Sequence, residues 1–349
     1  MQHRVGVRSM QFDSRPKLLA SAAIVSRAEG EGPLGACFDV VLDDDKLGAD
    51  SFEQAELMIF ENAVRLACSK AGLAPSDVGC LLAGDLLNQL ITANYGARNL
   101  GMPYLGLYGA CSTMSESLLI GGMLVDGGYT SPVACIACSH FSTAERQYRF
   151  PLEMGTTPAP TSQRTVTGAG CLLVGDVLPP APVFSHCVIS GATIGKVVDL
   201  GITDAANMGA AMAPAACDTI VTHLQDAGRT PEDYDLIITG DLGKFGTEML
   251  HTLLAEQGVD MAGRHRDCGN LIFPSEPKYN CGGSGCGCSA VTLAGHILPR
   301  LESGELKRIL FLATGALMSP TSSLQGESIP GIAHGVVLEH QEDYAGGGR

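Results

Sequence analysis

The stretch Ala71-Gly72-Leu73-Ala74-Pro75-Ser76-Asp77, running on to Leu82-Ala83-Gly84-Asp85-Leu86, returns later in the chain. Ala227-Gly228-Arg229-Thr230-Pro231-Glu232-Asp233, running on to Ile238-Thr239-Gly240-Asp241-Leu242, sets Ala71 opposite Ala227 and Asp85 opposite Asp241. The offset is a constant 156 residues, with no gap. Each copy reads as the end of an amphipathic helix, a glycine stop, a proline turn and a buried apolar strand closing at Gly-Asp. A period this long is too large for a solenoid unit and predicts two similar half-domains. A site in such a chain is expected where the halves meet, with a contribution from each.

Working outward, strands at Ser21 to Val25, Phe38 to Val41, Leu81 to Ala83, Met102 to Leu107 and Val133 to Cys138 alternate with helices. The helices run from about Phe52 to Ala71, with Leu57, Phe60, Val64 and Ala67 on one face, from Leu86 to Arg98, and from just after Cys111 to Gly127-Gly128. There Thr113-x-x-Glu116 fits a capping box. Past a break at Pro179-Pro180-Ala181-Pro182 and a strand at Val183 to Ile189, the order repeats. A helix carries Met212, Ala216, Ile220 and Leu224, and a Gly/Cys-rich loop runs from Tyr279 to Cys288. A helix near Ser289 to Leu301 and strands at Ile309 to Ala313 and Ile332 to Leu338 close the chain. This alternation implies an α/β protein with mostly parallel sheet covered by helices. Its halves span residues 1–182 and 183–340, with a flexible Gly-rich tail at 341–349. The polar segment from Ser139 to Thr165 is too long for a simple connection and reads as a site loop or lid.

The 349 residues leave room for two cores. A formal net charge of −15 argues against a nucleic-acid surface, which needs clustered Lys and Arg. No apolar run is long enough to cross a bilayer, and Met1-Gln2-His3-Arg4 lacks the apolar core of a signal peptide. Thirteen cysteines, an odd number, point to reduced thiols. The expectation is an intracellular protein, soluble or held at a membrane by others.

Cys111 is the sharpest chemical candidate. It falls between a buried strand and a helix start, where free N–H groups and the helix dipole favour negative charge and lower a thiol pKa. Cys135-Ile136-Ala137-Cys138 with His140 has metal-like spacing, but on a strand alternate side chains face opposite ways. Cys281, Cys286 and Cys288 sit among glycines of a tight loop, so no resident metal is expected.

Strand, Gly109-Ala110-Cys111-Ser112-Thr113, helix, inside a duplicated α/β frame, resembles the thiolase superfamily and particularly β-ketoacyl-acyl-carrier-protein synthase III. Arg164-Thr165-Val166-Thr167-Gly168-Ala169-Gly170-Cys171 is similar to that family's Asp-Gly-Ala-Gly-Ala strand entry, with Thr167 where Asp is usual. The resemblance implies two half-domains with mixed sheets in a layered αβαβα arrangement. It also implies a His after the second repeated strand and an Asn or His on the Gly-rich loop, which help bind and polarise a thioester carbonyl. Those positions fall near Gly240-Asp241 and Ser284, and neither offers the required group; Asn280 and His251 are nearby but not at them. Without an oxyanion donor and a base, a thiolate loses most of its catalytic advantage.

One branch is resembled closely, the stage V sporulation protein AD family. Ser139-His140-Phe141-Ser142-Thr143-Ala144-Glu145-Arg146-Gln147-Tyr148-Arg149-Phe150-Pro151 carries the likeness, as do Pro160 to Arg164, Ile202 to Gly209 and Tyr279 to Gly283. It implies binding of dipicolinic acid, with calcium as a companion of the ligand, and uptake into the developing spore beside membrane proteins of the stage V sporulation A system. A homodimer, usual in the superfamily, is left open. For a flat dianion, Cys111, Ser112 and Thr113 would supply the helix-start floor, and Arg146, Arg149 and Arg164 the bidentate cations. Asp50, ahead of the first helix, reads as an N-cap and, should calcium arrive, an oxygen ligand. His334 is the leftover base. The rival reading keeps Cys111 as an acyl-transfer nucleophile with His334 or His251 recruited as base; a third makes the chain a scaffold for membrane partners.

Overall fold

The computed structural model describes residues 3–148, 159–179, 182–261 and 263–342. The repeated turn closes the same way twice. The Ala74 N–H donates to the Asp77 carboxylate at 2.8 Å, and the Thr230 N–H to Asp233 at 2.8 Å. Proline presets the turn and aspartate caps it, so each copy turns its next segment into the sheet.

The first half has strands β1 (Lys17–Ser26), β2 (Cys80–Gly84), β3 (Tyr104–Gly106), β4 (Val133–Ser139) and β5 (Gly168–Gly175). The second has β6 (Cys187–Thr193), β7 (Leu236–Thr239), β8 (His265–Asp267), β9 (Arg308–Ala316) and β10 (Gly331–His340). Their spatial orders, β1-β5-β4-β2-β3 and β6-β10-β9-β7-β8, match position by position. In each half the end β3-β2-β4, or β8-β7-β9, is parallel, and the remaining pairs are antiparallel. The duplication thus extends to sheet topology. The two sheets touch through one register pair, Lys17 with Val188.

The helices are α1 (Phe52–Lys70), α2 (Ile91–Leu100), α3 (Thr113–Asp126), α4 (Phe141–Tyr148), α5 (Met208–Ala227), α6 (Gly243–Glu256) and α7 (Cys286–Thr292). Helices α1 and α2 cover the outer face of the first sheet, and α5 and α6 that of the second. Helices α3 and α7 lie between the sheets, giving five layers in αβαβα order. The central helices are packed closely enough that glycine is required. A Cβ on Gly170 of β5 would stand 2.3 Å from the Ala290 backbone of α7, and one on Gly287 would stand 2.6 Å from the Gly168 carbonyl.

Several local expectations change. Helix α2 starts at Ile91, later than predicted, because Gln89 and Leu90 adopt left-handed backbone at φ 59° and 53°. The capping box at α3 does not form: the Thr113 hydroxyl donates to the Ala110 carbonyl at 2.6 Å, because a 3-10 turn precedes the helix. Ser51, not Asp50, caps α1, its hydroxyl accepting from the Gln54 N–H at 3.2 Å. The stripe of α1 is Ile59, Phe60, Ala63, Val64 and Ala67, with Leu57 only half-buried. The segment from Ser139 to Thr165 holds helix α4 at its start; residues 149–158 lie outside the described residues, as does most of the tail, 343–349.

Candidate functional site

Strand β3 delivers the chain to an elbow. Ala110 is held at φ 50°, and a short 3-10 turn, Ala110–Ser112, leads into α3 with Cys111 at its centre. Left-handed backbone costs an alanine roughly 1 kcal/mol, so surrounding contacts must hold it. Two hydroxyls help: Ser112 Oγ donates to the Gly109 carbonyl at 2.7 Å, and Thr113 to Ala110. The second half closes the floor, for a Cβ on Gly315 of β9 would meet the Gly109 carbonyl at 2.4 Å and the Ser112 nitrogen at 3.1 Å. Ser112 and Thr113, expected to face a ligand, are fully buried and engaged in holding the elbow.

The partner of Cys111 is Asp241, from the Gly-Asp that closes the strand of the second repeat copy. Its carboxylate sits where the family resemblance calls for an imidazole, and it accepts a hydrogen bond from the Cys111 thiol. It also accepts from Thr314 Oγ1 at 2.8 Å, from Ser284 Oγ at 3.2 Å and from the Gly285 N–H at 2.9 Å. Four donors on an acceptor-only group are the pattern of an ionised carboxylate. Burial nevertheless lifts Asp241 to about 6. The same charge, after burial itself, drives the Cys111 thiol well above its usual range. This overturns the expectation of a lowered thiol pKa: the first free helix N–H, that of Ser112, is taken by the Gly109 carbonyl at 3.0 Å, and desolvation exceeds what the helix start offers.

Over the sulfur lies a cavity of about 40 Å³. Its lining is mainly apolar, with Leu86, Ala110, Ala144, Met208, Ala316 and Met318, and is completed by Cys111, Glu145, Tyr148, Thr165 and Ser284. Tyr148 closes it from α4, its hydroxyl donating to the Leu86 carbonyl. Glu145 and Tyr148 were not singled out in the sequence, and Asp241 and Ser284 were read only as the positions where the family's imidazole and carboxamide are missing, not as groups that face the sulfur. The role of Asp241 could have been found from the Gly-Asp that closes both repeat copies, since a shared strand end near a candidate nucleophile marks a place to ask what replaces the missing histidine. Its counterpart Asp85 instead accepts from the Leu87 and Ala93 N–H groups, both at 2.8 Å.

Of the expected cations, Arg146 and Arg164 are not among the described residues of this lining. Arg146 pairs with Glu53. Arg164 stacks on Phe141, 3.9 Å from the ring centre, and opens on a separate cavity of about 370 Å³ with Arg27, Lys278, Asp43, Asp44 and Asp45. Arg149 lies outside the described residues. Asp50 is also outside the lining; its backbone N–H donates to Gln54 at 3.1 Å. His334 accepts from the Gly195 N–H at 3.2 Å, is pushed down to about 4 by burial, and does not face the sulfur cavity. His251 bonds His265 at 3.0 Å, and Asn280 donates to the Ala159 carbonyl at 3.2 Å. Neither imidazole nor carboxamide occurs among the described residues lining the cavity. The thiols disperse as well. Cys135 faces the inner layer and Cys138 the outer one, while Cys281, Cys286 and Cys288 bond the Phe245 N–H and the carbonyls of Cys138 and Gly240. Among the described residues no cluster of three metal-ligating side chains occurs.

Five layers, the duplicated strand order and a cysteine elbow facing the second half define a thiolase-like protein. Solved structures bear this out. The chain is 14% identical to 3-oxoacyl-[acyl-carrier-protein] synthase III from Aquifex aeolicus, covering 93% of this chain and 100% of that one at a TM-score of 0.55. Cerulenin-bound OleA from Xanthomonas campestris is 16% identical, with 94% and 100% covered at a TM-score of 0.58. Within that class the chain belongs to the stage V sporulation protein AD family, whose sequence model matches residues 6–339. It is 47% identical over 311 residues to stage V sporulation protein AD of Bacillus subtilis, covering 89% of this chain and 90% of that one. No described helix is long and apolar enough to cross a membrane.

Proposed function

We propose that this sporulation protein binds dipicolinic acid as its calcium complex in the cleft over Cys111, without turning substrates over. The observation that carries the reading is the Cys111 thiol donating to Asp241, where a condensing enzyme would place an imidazole. A base of about 6 facing a thiol raised well above 9 must move the proton uphill. A fixed carboxylate beside the sulfur also opposes the negative charge that develops on an attacked carbonyl oxygen. Both effects leave the elbow in place and disable its chemistry.

Among the described residues the lining carries Glu145 and no cation, which favours a charge-compensated calcium complex over a free dianion. A cavity of about 40 Å³ has space for little more than a water, so a flat diacid enters only if Tyr148, Met208 or Met318 swings aside. The role is then delivery of the ligand into the developing spore, from inside the cell and beside membrane proteins of the same system. Among the described residues the outer edge of β3 is unpaired, and Leu105 within it and Tyr108 just after it are exposed, which favours pairing with a second copy. Calorimetric titration with dipicolinate, with and without calcium, tests the reading. Saturable heat that needs calcium supports it; no saturable heat at millimolar ligand overturns it.

One observation favours the acyl-transfer alternative: the apolar lining suits an acyl chain. Covalent labelling of Cys111 by an acyl-thioester, lost in Cys111→Ser, would establish it.

A further inference from the structure

A second cavity, of about 120 Å³, opens where the N-terminal segment crosses the second half. It shares no lining residue with the one over Cys111, so the inference drawn from it does not rest on what that site takes. Its lining includes Arg15, just ahead of β1, Ser190 in β6, Arg229 just after α5, His223 within α5, and Glu339 near the end of β10. In a chain of net charge −15, this spot gathers positive charge.

The buried carboxylate of Glu339 is shared by three guanidinium groups. Arg308 takes it most closely, Nε to Oε1 at 2.6 Å. Arg15 reaches Oε2 at 3.3 Å, and Arg229 approaches Oε1 only to 4.0 Å. One carboxylate cannot saturate three planar forks, and the two left with long contacts are the two that line the cavity. Arg229 also donates to the Tyr234 hydroxyl at 3.3 Å, an uncharged partner, and Asp233 offsets its charge only from within a turn of its own. His223 is held between Thr193 at 2.7 Å and Tyr234 at 2.6 Å, and it is uncharged near neutral pH because burial lowers it to about 4. Asp226 accepts from the Val7, Arg8 and Ser9 N–H groups and from Ser9 Oγ. Asp233, whose charge is felt by Arg229 and Arg308, is tied into the repeated turn through Thr230.

The backbone adds two independent signs of a built site. Arg15 stands at φ 49°, a left-handed conformation that costs an arginine roughly 1 kcal/mol. It holds the side chain over Glu339. The β6–β10 ladder slips between Ile189 and Gly191, and this bulge puts Ser190 out of the pairing register, in the cavity wall.

We infer that this cavity is a binding site for a small oxyanion, a carboxylate or phosphate group, clamped between Arg15 and Arg229 beside Ser190. Glu339 acts as its internal competitor, holding the two guanidinium groups in place until a better-matched anion arrives. The site supplies binding and no covalent step.

The test is calorimetric titration of the full-length protein with inorganic phosphate and, separately, with malonate, at low ionic strength. One saturable site for either anion is expected, and the tighter of the two tells a phosphate group from a carboxylic acid. Arg229→Gln and Arg15→Gln should each weaken it by about tenfold or more, the worth of one charge-assisted contact. Glu339→Gln, which removes the competitor and keeps the shape, should tighten it. Arg229→Lys and Arg15→Lys keep the charge but lose the fork, so they should weaken binding even where a glutamine variant fails to fold. The inference fails if neither anion saturates or if the arginine variants bind like the parent. It fails equally if Glu339→Gln weakens binding as they do, the result expected of an ion network that only braces the fold.

Discussion

Replacing Asp241 with asparagine tests the centre of the site with a number. Burial raises this carboxyl from an ordinary 3.8 to about 6. A carboxyl whose folded value lies above its unfolded value costs stability once it ionises in both states. The cost is absent below about pH 4 and complete above about pH 6, where at ~1.4 kcal/mol per pH unit it reaches about 3 kcal/mol. The amide carries no charge and escapes it. Asparagine gives up some donor contacts, since its NH₂ faces a hydroxyl that now donates, and this loss does not depend on pH. The stability of Asp241→Asn relative to the parent should therefore rise with pH. About half of the 3 kcal/mol should return to the parent by about pH 5. Urea unfolding of both proteins at about pH 5 and about pH 8 measures the difference directly. A stability gap that is the same at both values would show that Asp241 does not titrate as a buried acid. Alkylation of Cys111 should accelerate in the same variant, because the neighbouring charge that raises the thiol is gone.

Gly315→Ala should cost about 3 kcal/mol or more in chemical denaturation, because its Cβ would press on the Gly109 carbonyl at 2.4 Å beneath the elbow. Ala110→Gly relieves the left-handed strain at φ 50° and should stabilise the protein by about 1 kcal/mol in the same assay. Thr239→Val removes a hydroxyl that bonds Asp267 at 2.7 Å and His265 at 2.9 Å, leaving both buried and short of a partner; a loss of about 3 kcal/mol is expected, and an unchanged midpoint would refute the pairing.

How legible this was depended on the kind of information sought. The duplication was written in the chain because turn chemistry is local: proline, aspartate and a glycine stop act within a few residues, and they act alike in both copies. Cys111 was legible for the same reason, since strand, tight turn and helix are contiguous. Its environment was not. Whether a helix start lowers a thiol depends on which groups from the far half stand against it, and Asp241 comes from a strand 130 residues downstream. Arg146 and Arg164 were read as ligand contacts from charge and position in a long segment, yet Glu53 and the Phe141 ring claim them. Asp50 lost the cap to its neighbour Ser51 by one residue, the scale at which helix boundaries are set by packing.

The contact between β5 and α7 has a consequence for change over time. With Gly170 against Ala290 and Gly287 against Gly168, even a methyl group has no place to go, so the packing of α7 against the first sheet, from which Ser284 reaches the cleft just ahead of the helix, is frozen by geometry. A descendant of this protein that acquired a different cargo would have to do so through Tyr148, Met208 and Met318, the long side chains at the mouth. Diversity in what such chains hold should therefore be sought at the entrance, while the bedrock beneath stays the same.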